Sequence, residues 1–206
     1  MKRKIAASLA ACVAGVVLVS HGCASTPSNT SDICDVFDEK PGWYRHAKKA
    51  EKTWRIPIPI MMATAYKESS FKHDARPPRT KILGVIPWRR PSSALGFAQA
   101  TDETWEDYKR DSGRNRASRK RFADAIDFVG WYFDRAHRVL GIPRNDARSL
   151  YLAYHEGLTG YRNGAWKRNT WLRGAADRVA ANSQRYERQL GTCRRFLDRG
   201  WLGIFG

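Results

Sequence analysis

Apolar residues recur at three- or four-residue spacing along most of this 206-residue chain, which is the spacing of amphipathic helices. One predicted helix follows Pro57 and Pro59, passes through Met61 and Met62, and ends at about Ser70. The other predicted helices cover residues 41–55, 102–112, 122–140, 146–157 and 172–190, with caps at Thr101 or Asp102 and at Asn145 or Asp146. The pattern therefore predicts a mainly α protein with one domain.

Residues 72–93 interrupt the helical pattern with a segment rich in proline and basic residues. We expect an ordered loop here, with a short strand at Lys81 to Ile86. A long loop directly after a helix that carries a reactive residue often forms a wall of the substrate site. Trp88, Arg89 and Arg90 could contact a substrate there or hold the loop against the core.

Glu68 is a carboxylate on an otherwise apolar stripe. It follows Met61 by seven residues and Ala65 by three, so the three side chains share one helix face. Apolar surroundings and the negative end of the helix dipole both favour the protonated form of a carboxyl group. Glu68 could therefore act as a general acid, or it could rotate outward at a fraying helix end.

The N-terminus has the pattern of a secretory signal, with basic residues at positions 2–4 followed by an uncharged run to Ser20. The run ends in Leu18-Val19-Ser20-His21-Gly22-Cys23, which resembles a bacterial lipobox. We expect cleavage after residue 22 and lipidation of Cys23. The alternative is a soluble secreted protein cleaved near Ala24-Ser25.

Two cysteines flank the predicted helical domain, Cys34 before it and Cys193 after it. In an oxidising compartment we expect them to form a disulfide that closes nearly the whole domain. The alternative is a pair of independent reduced thiols.

The formal net charge is +17, and the chain after the leader, which contains three basic residues and no acidic one, carries +14. Such a charge indicates an acidic partner: nucleic acid, anionic lipid or a wall polymer with carboxylates. A secreted chain rarely meets nucleic acid, so we expect none as a partner. His155-Glu156 lacks a second histidine four residues after His155, so no zinc motif is present and we expect neither metal nor cofactor.

Two further motifs follow Glu68-Ser69-Ser70-Phe71. The first is Gly96-Phe97-Ala98-Gln99, a turn that presents an amide side chain, and the second is Ala153-Tyr154-His155-Glu156-Gly157. In this order the three motifs resemble those of the soluble-type lytic transglycosylases, Glu-Ser-x-Phe, Gly-Leu-Met-Gln and Ala-Tyr-Asn-x-Gly. The resemblance spans about residues 38–193. His155 replaces the usual Asn, Glu156 replaces a small residue, and the first two motifs are farther apart than is typical.

The resemblance implies a goose-type lysozyme-like helical fold with a long loop or small β element after the catalytic helix. It also implies that Glu68 is the catalytic acid and base on peptidoglycan, with no cofactor. The substrate-binding residues that it implies are Ser69, Gly96, Gln99, Tyr154, His155 and Glu156. Glu68 would protonate the bond between N-acetylmuramic acid and N-acetylglucosamine and then deprotonate the muramyl 6-hydroxyl.

One carboxylate suffices for that reaction, whereas most glycosidases need two. Asp74, Asp102 and Glu156 are the candidates for a second carboxylate. A lysozyme-type hydrolase would use one of them, and a catalytically inactive wall-binding lipoprotein is the other alternative.

We predict four segments: a signal peptide (1–22), a flexible tether (23–37), the catalytic domain (38–193) and an apolar tail (194–206). The expected location is the periplasmic side of the outer membrane, as a monomer held by its lipid, and the alternative is a soluble periplasmic protein.

Overall fold

Helix α5 (Phe122–Leu140) forms the centre of the fold, and every residue from Asp124 to Asp134 within it is buried. The computed structural model describes residues 25–79, 81–82, 86–87 and 91–199. The elements before α5 are α1 (Ile33–Glu39), α2 (Pro41–Trp54), α3 (Ile58–Ser69), β1 (Lys81–Ile82), β2 (Ile86–Pro87) and α4 (Asp102–Ser112). The elements after it are α6 (Ala147–Arg162), a 3₁₀ helix (Ala165–Arg168) and α7 (Thr170–Arg199).

The helices pack around α5 in a way that buries one continuous apolar core. Helices α2, α3, α4 and α6 contact α5, and α7 covers α1, α3 and α6 from the other side. A helix that is apolar on almost all sides is stable only when neighbours enclose it. The prediction of a mainly α domain is confirmed. No helix in the described part of the chain has the length and hydropathy that crossing a bilayer requires.

The structure decides between the alternative helix caps. The Thr101 hydroxyl accepts a hydrogen bond from the Thr104 amide at 3.4 Å, so Thr101 caps α4. The Asp146 carboxylate accepts one from the Ser149 amide at 3.0 Å, so Asp146 caps α6. Each cap satisfies an amide that has no partner within its helix.

The predicted flexible tether is wrong from Ser25 onward, because hydrogen bonds and a helix hold these residues against the domain. Helix α1 lies inside residues 23–37, and Ile33, Val36 and Phe37 are completely buried in the core. Asp32 caps this helix by accepting a hydrogen bond from the Cys34 amide at 2.8 Å. The helix is short, so its stability comes from packing on α7 rather than from its own propensity.

Two further boundaries differ from the sequence prediction. Helix α7 continues to Arg199, so the first six residues of the predicted tail are helical. Helix α6 does not end at Gly157. This residue has φ 75° and ψ 162°, which kinks the helix, and the chain then resumes a helical course to Arg162.

The predicted small β element is present as an antiparallel pair of two-residue strands, with Lys81 opposite Pro87 and Ile82 opposite Ile86. The predicted roles of Trp88, Arg89 and Arg90 fall outside the described residues. The predicted signal peptide, the lipidation of Cys23 and the end of the apolar tail also fall outside them.

A disulfide joins Cys34 in α1 to Cys193 in α7, with the two α-carbons 6.1 Å apart. The predicted pairing is therefore confirmed. The bridge spans 159 positions of sequence and closes a loop that contains nearly all of the helical core.

Candidate active site

Glu68 lies in the last turn of α3, where its side chain is partly buried. Met61 and Ala65, on the same face, are both buried, as the apolar stripe predicted. Burial raises the pKa of Glu68 above its ordinary value. A hydrogen bond from the Tyr151 hydroxyl and the charge of Lys67 act in the opposite direction without cancelling it. Glu68 therefore has the electrostatic surroundings of a general acid.

Tyr151 is a site residue that the sequence interpretation missed. It is 1 % exposed, on α6, and its hydroxyl donates a hydrogen bond to the Glu68 carboxylate. The signal was present in the sequence, because Tyr151 precedes Tyr154 by three residues and therefore shares its helix face.

The chain reverses sharply directly after Glu68. Ser70 (φ 51°) and Phe71 (φ 60°) are both in the left-handed region, where non-glycine residues are strained by about 1–3 kcal/mol each. The Phe71 ring is 1 % exposed and packs against Trp43 and Tyr66 at centroid distances of 5.6 and 5.7 Å. Burial of this ring stabilises the turn that ends α3.

The second motif forms a tight turn beneath the first. Gly96 has φ 81°, and a β-carbon there would lie 2.1 Å from the carbonyl oxygen of Arg119, so only glycine fits. The Gln99 amide group donates hydrogen bonds to the carbonyl oxygens of Ala75 (2.8 Å) and Gly96 (2.9 Å). Both residues thus shape the turn, and their contact with glycan stays a prediction.

Side-chain hydrogen bonds to the second motif bring all three motifs together. The buried Ser69 hydroxyl donates to the Phe97 carbonyl oxygen at 2.8 Å and to the Ala65 carbonyl oxygen at 3.1 Å. The Tyr154 hydroxyl donates to the Ala98 carbonyl oxygen at 2.5 Å. With the contact between Tyr151 and Glu68, these bonds fix α3, the Gly96 turn and α6 relative to one another. The hydroxyl of Tyr154 is therefore committed to the turn, and the predicted contact of Tyr154 with substrate stays a prediction.

His155 and Glu156 follow Tyr154 on the outer part of α6. The His155 ring lies 5.4 Å from the ring of Trp171. Partial loss of hydration lowers the pKa of His155, the charge of Glu156 opposes this, and that of Lys67 reinforces it. His155 is therefore held toward its neutral form at neutral pH.

Each of the three candidates for a second carboxylate has a described neighbour other than Glu68. Asp102 forms an ion pair with Arg119 at 2.7 Å, and Asp74 lies 4.0 Å from His73. The Glu156 carboxylate turns toward Gly160, 3.5 Å from the position that a β-carbon would take there. Among the described residues, the groups that shift the pKa of Glu68 include no acidic side chain.

Comparison with known families agrees with this arrangement. The family model described as "Transglycosylase SLT domain" matches residues 9–193, which include all three motifs. No curated protein and no solved structure matches the chain significantly. The matched range covers most of the chain and contains Glu68 and both of the motifs packed against it. The chain therefore belongs to the transglycosylase SLT domain family, which confirms the predicted lysozyme-like fold and implies that the chain binds peptidoglycan.

Proposed function

We propose that this protein is a lytic transglycosylase that cleaves the β-1,4 bond between N-acetylmuramic acid and N-acetylglucosamine without consuming water. The observation that carries the proposal is Glu68 itself. It is partly buried, its pKa is raised, and among the described residues it is hydrogen-bonded to Tyr151 with no second acid acting on it.

The proposed reaction uses Glu68 twice. The protonated Glu68 gives its proton to the glycosidic oxygen as the bond from that oxygen to the muramyl C1 breaks. The substrate's own 2-acetamido group stabilises the developing charge at C1, so no protein nucleophile is needed. The Glu68 carboxylate then accepts the proton of the muramyl 6-hydroxyl while that oxygen bonds to C1. The product is a 1,6-anhydromuramyl end, and Glu68 regains its proton for the next cycle.

Tyr151 supports the first half of this cycle. Its hydroxyl donates to the carboxylate form of Glu68, so it stabilises the charge that Glu68 acquires when its proton passes to the glycosidic oxygen. Because Tyr151 is almost completely buried, its hydrogen bond is shielded from competition by water.

Digestion of purified wall sacculi followed by mass spectrometry of the fragments tests the proposed reaction. We expect muramyl ends that are lighter than the hydrolytic product by one water. The variant Glu68→Gln should lose about 10²–10⁴-fold in rate, as expected when a general acid is removed. Reducing muramyl ends would identify a hydrolase instead, and a Glu68→Gln variant of normal rate would refute the assignment of the acid.

We also propose that the protein is anchored through a lipid on Cys23 at the periplasmic side of the outer membrane. The lipobox-like sequence before Cys23 supports this location, and so does the disulfide, which requires an oxidising compartment. Replacement of Cys23 by Ser should release the protein from the membrane fraction. An unchanged membrane fraction would contradict the anchor.

A further inference from the structure

Trp171 is a large aromatic side chain that the fold leaves exposed beside the catalytic helix. It is 59 % exposed at the start of α7, whereas its neighbour Leu172 is completely buried. The Asn169 side chain accepts a hydrogen bond from the Leu172 amide at 3.0 Å and so fixes the first turn of the helix. Leu172 and Ala175 define the buried stripe of α7, and Trp171 lies outside it. The indole is therefore presented to solvent by a firmly held helix end.

Two side chains from the site flank this indole. The Lys67 ammonium lies 5.5 Å from the centroid of the Trp171 ring, and the His155 ring lies 5.4 Å from it at an angle of 59°. Lys67 directly precedes Glu68, and its charge acts on the pKa of both Glu68 and His155. Trp171 thus stands at the rim of the candidate active site, with contacts to α3 and to α6.

The contacts with Lys67 and His155 restrict the indole but leave most of it uncovered. An exposed contact between a cation and an aromatic ring contributes only about 0.5–1 kcal/mol, so it explains the orientation of the ring better than its presence in solvent. Large exposed aromatic surfaces next to a catalytic cleft commonly mark a binding surface. Within the described residues, the Lys67 ammonium also has no carboxylate within ion-pair distance.

We infer that Trp171, Lys67 and His155 form a glycan subsite that binds a sugar ring next to the bond that Glu68 cleaves. This inference rests on the proposed function. The flat indole is complementary to the apolar face of a pyranose ring, which keeps its hydroxyl groups at its edge. The ammonium of Lys67 is complementary to a carboxylate of the peptide stem, and the neutral His155 ring can exchange hydrogen bonds with sugar hydroxyls.

Calorimetric titration measures binding without cleavage when the protein lacks the predicted signal peptide (residues 1–22) and carries Glu68→Gln. The probe is a tetrasaccharide with peptide stems, prepared from sacculi. We expect Trp171→Ala to weaken binding about tenfold, which corresponds to about 1.4 kcal/mol, and Trp171→Phe to keep most of the affinity. The matched control is Phe196→Ala, because Phe196 is 73 % exposed at the other end of the same helix and should leave the affinity unchanged.

The peptide part of the subsite is tested by Lys67→Gln in the same Glu68→Gln background. We expect this change to weaken binding of the peptide-bearing probe by up to about fivefold, as for other exposed charge pairs. It should not affect a probe from which the peptides have been removed. An equal effect on both probes would refute the contact between Lys67 and a stem carboxylate.

Three outcomes would overturn the subsite. They are no binding by the protein with Trp171 intact, equal losses in Trp171→Ala and Phe196→Ala, and tighter binding of single-stranded DNA than of glycan. The proposed reaction can fail independently, because a wild-type protein that binds the probe through Trp171 but releases no fragment would refute only the catalytic activity.

Discussion

Tyr151 and Tyr154 lie one helical turn apart on α6, and their hydroxyl groups serve different partners. Tyr151 donates to Glu68, and Tyr154 donates to the carbonyl oxygen of Ala98. Tyr154, which belongs to the third motif, therefore holds the Gly96 turn in place. Tyr151 holds the side chain of Glu68. Burial raises the pKa of both hydroxyls, so both stay protonated and remain donors at neutral pH.

The variant Tyr151→Phe should change the pH dependence of the reaction. The hydrogen bond from Tyr151 lowers the pKa of Glu68, so its loss raises that pKa further. Because the free enzyme must begin with a protonated Glu68, the alkaline limb of kcat/KM should move to higher pH. A pH–rate profile on a soluble glycan measures this shift. The matched control is Tyr132→Phe, since the Tyr132 hydroxyl donates to the Ala153 carbonyl oxygen at 3.1 Å rather than to Glu68. An alkaline limb that stays in place in Tyr151→Phe would contradict the role of Tyr151.

Because the pKa of Glu68 is raised in the folded protein, ionisation of Glu68 should lower the free energy of unfolding. A group whose pKa is higher in the folded than in the unfolded state contributes stability below the unfolded pKa and loses it as the pH rises through the folded pKa. Gln does not titrate, so Glu68→Gln should match the wild type at about pH 4 and have a higher Tm at about pH 7.5. Thermal unfolding at the two pH values measures the difference.

The comparison for that experiment is Glu103→Gln. Glu103 is exposed in the first turn of α4, where the helix dipole favours a negative charge, so its loss should lower the Tm at neutral pH. A Glu68→Gln variant that is less stable than the wild type at neutral pH would show that its surroundings favour the charged form.

At the scale of elements, the site consists of two turns that share one aromatic cluster. Phe71 follows α3 and Phe97 lies in the Gly96 turn, and both rings pack against Trp43 of α2. Trp43 in turn stacks on Phe122 of α5 at 3.9 Å. The position of Glu68 relative to the Gly96 turn thus depends on packing against α2 and α5, the central part of the core.

The Gly96 turn gives a prediction with an internal control. Gly96 and Gly113 both have positive φ, at 81° and 70°, but a β-carbon meets the Arg119 carbonyl oxygen only at Gly96 and has no neighbour within 4 Å at Gly113. Gly113→Ala should cost only the left-handed backbone penalty of about 1–2 kcal/mol. Gly96→Ala should cost more than about 3 kcal/mol, because the turn must shift as well. Urea unfolding measures the free energy of unfolding of both variants. Equal losses would show that the Gly96 turn accommodates a β-carbon without a further loss of stability.

At the scale of the whole molecule, the sequence predicted the long helices because their apolar periodicity and caps are local signals. Helix α1 was not predicted, since three apolar residues among polar ones resemble a tether until α7 is present to cover them. The course of α6 beyond Gly157 was missed for a related reason, because neighbouring contacts continue the helix past a residue that usually ends one. Glu68 was found from its position on an apolar stripe. Tyr151 was not, because its spacing from Tyr154 places the two on one face of α6 but does not show that this face meets Glu68.

The disulfide should stabilise the fold by restricting the unfolded chain. For a separation of 159 residues the chain-entropy model gives an upper value of about 5 kcal/mol for Cys34–Cys193. Replacement of both cysteines by Ser should therefore lower the free energy of unfolding by about 2–5 kcal/mol. Denaturant unfolding with and without reductant measures the effect. Reductant should destabilise the wild type and leave the double variant unchanged, and a wild type that is insensitive to reductant would contradict the prediction.

The hydrogen bonds of residues 25–31 have a consequence for the reach of the enzyme along the cell wall. Ser25 accepts a hydrogen bond from Lys40, Ser28 donates to Glu39 at 2.7 and 2.9 Å, and Tyr186 donates to the Thr30 carbonyl oxygen. With the anchor proposed at Cys23, only two peptide steps, or at most about 7 Å, would separate the lipid from the folded domain. Trp171 lies about 22 Å along α7 from Tyr186. The distance from the membrane at which the protein could cut glycan would then be set by the size of the folded domain alone. It would be restricted to the glycan layer nearest the membrane. Insertion of residues between Cys23 and Ser25 would extend that range to deeper layers.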